Sequence, residues 1–543
     1  MRVRRGVWYD VLVMDDPATA APGERLSRGT LLALVAMGLG VFLIANDFTA
    51  LAVALPVIEK EFDTDVDTVQ WVINGYALVF GCLIITGGRL ADMFGRRRLF
   101  FVGAGIFAVF SALSGAAPTI GTLLGARALM GVGGAIMWPA ILGMTFAALP
   151  AKKAGLAGGL ILGVAGIGNA FGPLLGGLLT DALSWRWVFF LNLPVCAFAI
   201  LVTWRFIHQP AVEDAGDRVD YAGVVTLTVA LVVLLLALDI ATDKGLGDPL
   251  IWAMIAASVV LLLIFAWLER RAGANALVPG DVMGNWDFTW ACLAVVCLAV
   301  TFFAALLYVP QYFQKLLEYS PLEAGAALLP FMGCFALVSF IAGSLYERLG
   351  AKPIMSVGAS LMCAGTFALS LIQVESGYLA AVPGMVMLGI GSGLFIPTVT
   401  TAAVTVLDPS RASLAGAILY MFQVAGGSVG LGLTTTIFAT ASHDKLASDV
   451  QALGTAVSRS EVEDVQGILA GTDSAQQVLA RFPGRADTVT ELVGDAFVHG
   501  VQWAFRVDAA IALIGVAITI LFVGGRLRLG RRATVAPAQE PSA

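Results

Sequence analysis

The sequence predicts an all-α polytopic membrane protein of fourteen transmembrane helices. It is laid out as two six-helix bundles in parallel pseudo-repeat with two further helices inserted between them. Three observations carry this. The 543 residues are 58% hydrophobic and only 13% charged, with a mean hydropathy of +0.87, far outside the composition of a soluble domain. Apolar runs of about twenty residues, the length that crosses a bilayer as a helix, recur from end to end. Blocks of the first half return in the second at a constant spacing.

Residues 1–28 form a polar tail. The opening MRVRRGVWYDVLVMDDP is basic, but Asp10 interrupts any apolar core and Asp15, Asp16 and Pro17 follow, so a cytoplasmic tail is expected rather than a cleaved signal. Residues 29–207 supply the first bundle, with spans near 31–56, 71–91, 99–117, 120–148, 155–180 and 187–206. Residues 208–285 hold the inserted pair, near 221–240 and 250–268. Residues 286–525 hold the second bundle, near 288–313, 322–346, 353–373, 378–404, 412–440 and 501–525. A long extracytoplasmic loop, 441–500, interrupts it. There Val489, Leu492, Val493, Ala496 and Phe497, and likewise Val462, Val465, Ile468 and Leu469, recur at helical spacing. Two amphipathic helices resting on the outer face are expected. Residues 526–543 form a basic C-terminal tail.

The repeat is explicit. GRLADMFGRRR at Gly88–Arg98 returns as GSLYERLGAKP at Gly343–Pro353, matching Gly88 to Gly343, Asp92 to Glu347 and Gly95 to Gly350 at an offset of 255. Gly131, Gly133 and Pro139 return as Gly389, Gly391 and Pro397 at 258, and Leu156, Ala157 and Gly158 as Leu414, Ala415 and Gly416. Parallel repeats of six spans are a transporter architecture, with substrate held between the halves. The fifth span adds a run of eight glycines between Gly158 and Gly177. Within it Gly168, Gly172 and Gly176 share one helix face, which lets a neighbour approach closely, and Pro173 bends the helix beside them. Generic packing and a hinge or seal are both compatible with that spacing.

Lys and Arg set the orientation. Arg96, Arg97, Arg98, Lys152, Lys153, Arg270, Arg271, Arg348, Lys352 and Arg411 fall in one set of loops, while the opposite short loops offer Lys60, Arg186, Lys244 and Lys315. Both tails fall on the basic, cytoplasmic side. The six cysteines lie in apolar runs and the three histidines lie far apart, which argues against a disulfide framework and a metal cluster. None of the seven lysines follows a glycine, which excludes a phosphate-binding loop and an ATP-driven pump.

These motifs resemble the major facilitator superfamily, specifically its fourteen-helix drug:proton antiporters of the multidrug efflux type. Gly88 to Arg98 is similar to the family's loop motif between the second and third helices, with Asp92, Gly95 and Arg96 as its core. Leu123 through Arg127 to Ala135 is similar to its fourth-helix motif, Gly168 to Gly177 to its antiporter motif, and Asp47 to Pro56 to its first-helix motif. The resemblance implies the major facilitator fold and a latch between the halves at Gly88–Arg98 in the outward-open state. It also implies export of a drug or antibiotic. Where relatives carry Asn and Gln, this chain has Ala52 and Met130. Acids that some relatives carry midway along the tenth or thirteenth helix are represented only by Glu323, at an end, and the neutral Gln423.

Charged groups inside a bilayer are costly and mark function. Asp47 and Arg127 are the two that fall well inside spans. Each is nine residues from a proline at the outer boundary, Pro56 and Pro118, so both lie roughly 14 Å deep at 1.5 Å per residue. They could form a fixed ion pair between two helices or a protonation switch. In the switch Arg127 stays charged, Asp47 carries the proton, and desolvation and the guanidinium pull the carboxyl in opposite directions. Arg127 maps to Met385 in the second half, so coupling is expected in the first half alone. Arg506 and Asp508, taken to open the last span, are expected to be an interfacial pair. Aromatic Tyr76, Trp138, Tyr308 and Tyr420 and polar Asn46, Gln311 and Gln423 are candidates to line a substrate cavity. The function expected is proton-driven export of a lipophilic small molecule by alternating access, with no cofactor, metal or nucleic acid, by a monomer in the lipid of a bacterial plasma (inner) membrane. A passive facilitator and an exporter of an endogenous lipid or metabolite share the fold. No nucleophile–histidine pair lies within the spans, which argues against an enzyme.

Overall fold

The computed structural model describes residues 28–51, 54–64, 66–207, 220–244, 248–273, 276–278, 280–452 and 486–523. The first half runs α1 (Arg28–Ala50), α2 (Leu55–Phe62), α3 (Val66–Phe94), α4 (Arg96–Gly115), α5 (Ile120–Ala148), α6 (Ala154–Ala182), α7 (Arg186–Phe190) and α8 (Asn192–Phe206). An inserted pair follows, α9 (Tyr221–Lys244) and α10 (Pro249–Ala272), then a short α11 (Gly280–Met283). The second half runs α12 (Trp286–Leu316), α13 (Pro321–Ala327), α14 (Leu329–Leu349), α15 (Ala351–Leu369), α16 (Tyr378–Thr405), α17 (Ala412–Ala452) and α18 (Ala486–Leu521).

Local chemistry starts these helices where the loops turn. Thr119 caps α5, its hydroxyl accepting from Thr122 N at 3.3 Å. Asn285 caps α12 through Phe288 N at 3.1 Å, and Ser320 and Glu323 close a reciprocal capping box on α13. Thirteen crossings of the described residues are long and apolar enough to span a membrane, α7 and α8 together making one. The 24-residue α9, apolar over Tyr221–Ala237, supplies the fourteenth.

In the first half α3 and α4 pack on α5, and α1 packs on α6 and α8. In the second half α14 and α15 pack on α16, and α12 packs on α17 and α18. The sequence repeat is thus a repeat of packing. Gly131 of α5 lies against the Tyr76 carbonyl of α3 and Gly133 against Gly103 of α4. Their counterparts Gly389 and Gly391 of α16 lie against Phe331 of α14 and Gly358 of α15. A side chain at any of the four would strike backbone, so the glycines return because these interfaces return. Gly95 and Gly350 return for another reason: each breaks the chain between two helices at positive φ, 97° and 80°, where a Cβ is strained.

The halves meet along α6–α14 and α3–α17. By the repeat, α3 corresponds to α14 and α17 to α6, so the two seams are equivalents about a pseudo-twofold axis. Gly88 of α3 rests on Ser413, Leu414 and Ala417 of α17, and Gly343 of α14 rests on Gly155 and Leu156 of α6. The inserted pair closes the second seam from the side. Leu235 of α9 and Val424 of α17 both approach Gly81 of α3. α10 stays peripheral, with Trp252, Leu263 and Trp267 exposed as a lipid-facing surface would require.

Two expectations are corrected. α1 ends at Ala50 and does not reach Pro56; Pro56 instead falls in the first turn of the separate helix α2. Asp47 therefore lies three residues from the end of α1 rather than midway along one helix that runs to Pro56. The helical pattern at Val489–Phe497 belongs to the last span, since α18 already begins at Ala486 and α17 continues to Ala452. Periodicity revealed the helix but not its continuity with the span. The stretch Val462–Leu469 and both tails lie outside the described residues.

Candidate functional site

Asp47 and Arg127 meet, and both are fully buried. Arg127 Nη1 donates to Asp47 Oδ2. Arg127 does not depend on that bond alone. Its Nε donates to the Val72 carbonyl at 2.7 Å, and Nη1 lies 3.5 Å from Met130 Sδ. Its guanidinium carbon sits 4.4 Å from the centre of the Tyr76 ring and 5.6 Å from that of Phe189. Asn192, opening α8, stands beside Asp47 and donates to Ser111 Oγ at 3.1 Å. Around the pair, Asp47 Oδ1, Arg127 Nη2, Asn46 Oδ1 and the Tyr76 hydroxyl are buried without a protein hydrogen-bond partner. Buried polar atoms of this kind are rare in a purely structural core. The centre is thus built from α1, α3, α5 and α8, all of the first half.

The glycine face of α6 clasps the helix that carries Asp47. Gly168 lies against Phe42, Ala45 and Asn46, Gly172 against Thr49, and Gly176 against Ala50. Thr49 Oγ1 also donates to the Asn169 carbonyl at 3.2 Å. A second glycine face of the same helix, Gly155, Gly159, Gly163 and Gly166, meets α14 of the other half, while Pro173 reaches Gly325 of α13. One helix therefore touches both the buried ion pair's support and the seam between the halves.

At the end bearing Arg96–Arg98, Asp92 reaches across the second seam. Its Oδ2 accepts from Leu414 N at 2.9 Å and its Oδ1 from Ser413 N at 3.4 Å, so it caps the N-terminus of α17. Arg96 Nε donates to Asp92 Oδ1 at 3.0 Å, Nη1 to the Gly143 carbonyl at 3.1 Å and Nη2 to the Pro409 carbonyl at 2.7 Å. The repeat partner Glu347 is exposed, so this arrangement is one-sided. Arg89 of the same motif is buried too, within electrostatic reach of Glu269 at the end of α10. Its only signal in the sequence is its place in the Gly88–Arg98 motif.

The cavity candidates divide. Tyr76 and Asn46 belong to the ion-pair centre. Trp138 and Tyr420 pack ring to ring across the halves at 4.7 Å, and with Gln423 they line a cavity of about 10 Å³. That is room for about one water, so the halves are closed here. Tyr308 lies elsewhere, donating to Thr435 Oγ1 at 3.0 Å, and Gln311 is half-buried apart from either group. Asp508 is not an interfacial partner of Arg506. It is fully buried in α18, while Arg506 lies over the Trp503 ring at 5.3 Å. The early start of α18 places Asp508 well inside the span.

Comparison with known proteins identifies the family of this fold. Residues 37–431 match the model of the Major Facilitator Superfamily. The chain is 30% identical over 510 residues to the tetracenomycin C resistance and export protein of Streptomyces glaucescens, covering 93% of this chain and 94% of that protein. It is 35% identical over 443 residues to the puromycin resistance protein pur8 of Streptomyces alboniger, covering 80% and 86%. It is 33% identical over 418 residues to the multidrug resistance protein Stp of Mycobacterium tuberculosis, covering 76% and 77%. Among solved structures, the human organic anion transporter MFSD10 has the same fold, with a TM-score of 0.57 at 12% identity over 90% of this chain and 99% of that one. With two equivalent six-helix halves packed along two seams and a family match across most of its length, this chain belongs to the Major Facilitator Superfamily and is a multi-pass membrane transporter.

Proposed function

We propose that this protein exports lipophilic small molecules, drugs or antibiotics among them, in exchange for protons. The observation that carries the reading is the buried Asp47–Arg127 pair, placed under the glycine face of α6. The named export and resistance relatives support the substrate class.

The pair supplies a switch in simple terms. Carboxylate against guanidinium is the net-neutral arrangement in a low-dielectric interior. A proton on Asp47 removes the charge that draws Arg127 to it, ending a charge-assisted hydrogen bond. Arg127 then keeps the Val72 carbonyl and the Tyr76 ring, so it can release Asp47 without being stranded. Substrate binds with the cytoplasmic side open and Asp47 gives up its proton. With the outer side open, Asp47 takes a proton and substrate leaves. At 100 mV each proton contributes roughly 2.3 kcal/mol, about a fifty-fold gradient. The protein acts as a monomer in a bacterial inner membrane, with both termini cytoplasmic and the proton gradient in place of any cofactor.

The test is transport in proteoliposomes with an imposed pH gradient, across a panel of cationic, neutral and anionic compounds. Uphill accumulation that collapses with the gradient is expected. Flux that ignores the gradient would make the protein a passive facilitator, and flux confined to lipids would make it a lipid exporter.

A further inference from the structure

The second half holds a buried carboxylate that the mechanism above does not use. Asp508 of α18 is fully buried, and its Oδ2 has no protein partner. Its Oδ1 lies 2.7 Å from Thr434 Oγ1 of α17, and that same hydroxyl lies 2.7 Å from the Gly430 carbonyl. A threonine has one hydroxyl proton. If it goes to Gly430, the contact with Asp508 is a hydrogen bond only when Asp508 itself is the donor. One proton on Asp508 satisfies both contacts in series: Asp508 to Thr434, and Thr434 to Gly430.

Among the described residues no cation pairs with Asp508. Among the described residues, the groups facing Asp508 are Thr434 of α17 and Tyr308 of α12, whose hydroxyl donates to Thr435. Cys363 of α15 stands one residue away, donating to the Ala509 carbonyl at 3.3 Å. On α18 itself Arg506 is taken up by Trp503. A carboxylate so enclosed must bind a proton or meet a cation. Between α17 and α18 an open pocket of about 540 Å³ is lined by Thr436, Thr440, Asp444, Lys445, His499 and Trp503. Trp503 is five residues from Asp508, roughly 7.5 Å along the helix.

The two halves also match in design. Asp47 sits on the first span of its half and faces Asn192 on the last. Asp508 sits on the last span of its half and faces Tyr308 on the first. The first half answers its carboxylate with an arginine and the second does not. We propose that Asp508 is a second proton-binding site, loaded from the pocket between α17 and α18, so that each half of the transporter carries one proton per cycle. The step is protonation alone: water in the pocket delivers a proton to the carboxylate, and no other bond changes. The inference rests on the proton-coupled reading for its place in the cycle, though not for proton binding itself.

Infrared difference spectra of the purified full-length protein between acid and alkaline pH test it. A titrating carboxylic-acid C=O band is expected that is lost in Asp508→Asn, survives in Asp47→Asn, and shifts in Thr434→Val. A band unchanged in Asp508→Asn overturns the proposal. If Asp508→Asn does not fold, an unshifted band in Thr434→Val overturns it equally. In proteoliposomes with the membrane potential clamped and ethidium as the probe, each coupled proton contributes about tenfold accumulation per pH unit. Asp508→Asn should therefore lower accumulation about tenfold, and wild-type accumulation in that variant counts against the proposal. Absence of pH-driven accumulation in the wild type would overturn the coupling reading, while the infrared band still decides whether Asp508 binds a proton.

Discussion

Asp47→Asn is the most direct test of the switch. Asparagine keeps an oxygen to accept from Arg127 Nη1 but cannot carry the charge, so the protein should fold and bind substrate while uphill accumulation falls to equilibrium. Asp47→Glu should retain part of it. Arg127→Ala leaves a buried carboxylate without its cation, a change that typically costs about 3–5 kcal/mol. It should uncouple as well, with Arg127→Lys a partial rescue. Substrate-induced proton release, followed with a pH dye, checks all four; wild-type release from Asp47→Asn would place the carrier elsewhere. Asp47 and Arg127 were legible because a charge within an apolar run stands out against its neighbours. Their contact was legible only through a depth argument whose premise failed, since α1 stops at Ala50. Asp508 was misread for a related reason: with the last span taken to begin near 501 it fell in the opening turns, whereas α18 already begins at Ala486.

Among elements, α6 joins the ion-pair helix to the opposite half, so its glycines should be intolerant in proportion to what lies opposite. A Cβ at Gly172 would land on Thr49, and leucine there must displace α1. Overpacking of this kind costs about 1–3 kcal/mol, which spares insertion but not the position of Asp47. Gly172→Leu should reach the membrane, elute as a monodisperse peak and transport nothing; wild-type flux would reduce the face to packing. The short helix α2 poses a milder test. Glu61 accepts from Trp185 Nε1 at 2.6 Å and from Arg186 Nη1 at 2.5 Å. Burial works against its charge, but those hydrogen bonds and the Arg186 charge outweigh it and hold the carboxyl below the usual glutamate value of 4.5. A depressed carboxyl stabilises above the unfolded value and loses that contribution as pH falls through the folded one. Glu61→Gln should thus lower the thermal midpoint slightly at pH 7, by less than about 1 kcal/mol for so exposed a pair. The difference should close on acidification below about pH 4. A gap that persists in acid would show that the glutamate's shape, not its charge, is what matters.

For the whole molecule, the repeat explains why so much of the fold could be read in advance. Matching glycines mark matching backbone contacts, at Gly131 and Gly389 or Gly88 and Gly343, and such contacts tolerate no side chain in either half. What the repeat could not convey is where the halves differ. Arg127 has no counterpart, and Asp92 caps α17 while Glu347 stands in solvent. The orientation from Lys and Arg is open to cysteine labelling. Positions beside Lys152 and Arg411 should be reached from the cytoplasm, and those beside Asp65 and Asp473 from outside; a cytoplasmic Asp473 would overturn that topology. The Asp92 network makes the last prediction. Asp92 gives two first-turn N–H groups of α17 their acceptor and holds Arg96 against the Gly143 and Pro409 carbonyls. A lost helix cap alone costs about 1 kcal/mol, and the ion pair adds to it. Asp92→Ala should therefore weaken closure of that face by about 1–2 kcal/mol, raising the fraction open there roughly 5- to 30-fold. Spin labels at Lys152 and Lys352, one on each half, read that fraction as a longer-distance population. An unchanged distribution in Asp92→Ala would mean that the glycine contact at Gly88, and not the charge network, holds this side shut.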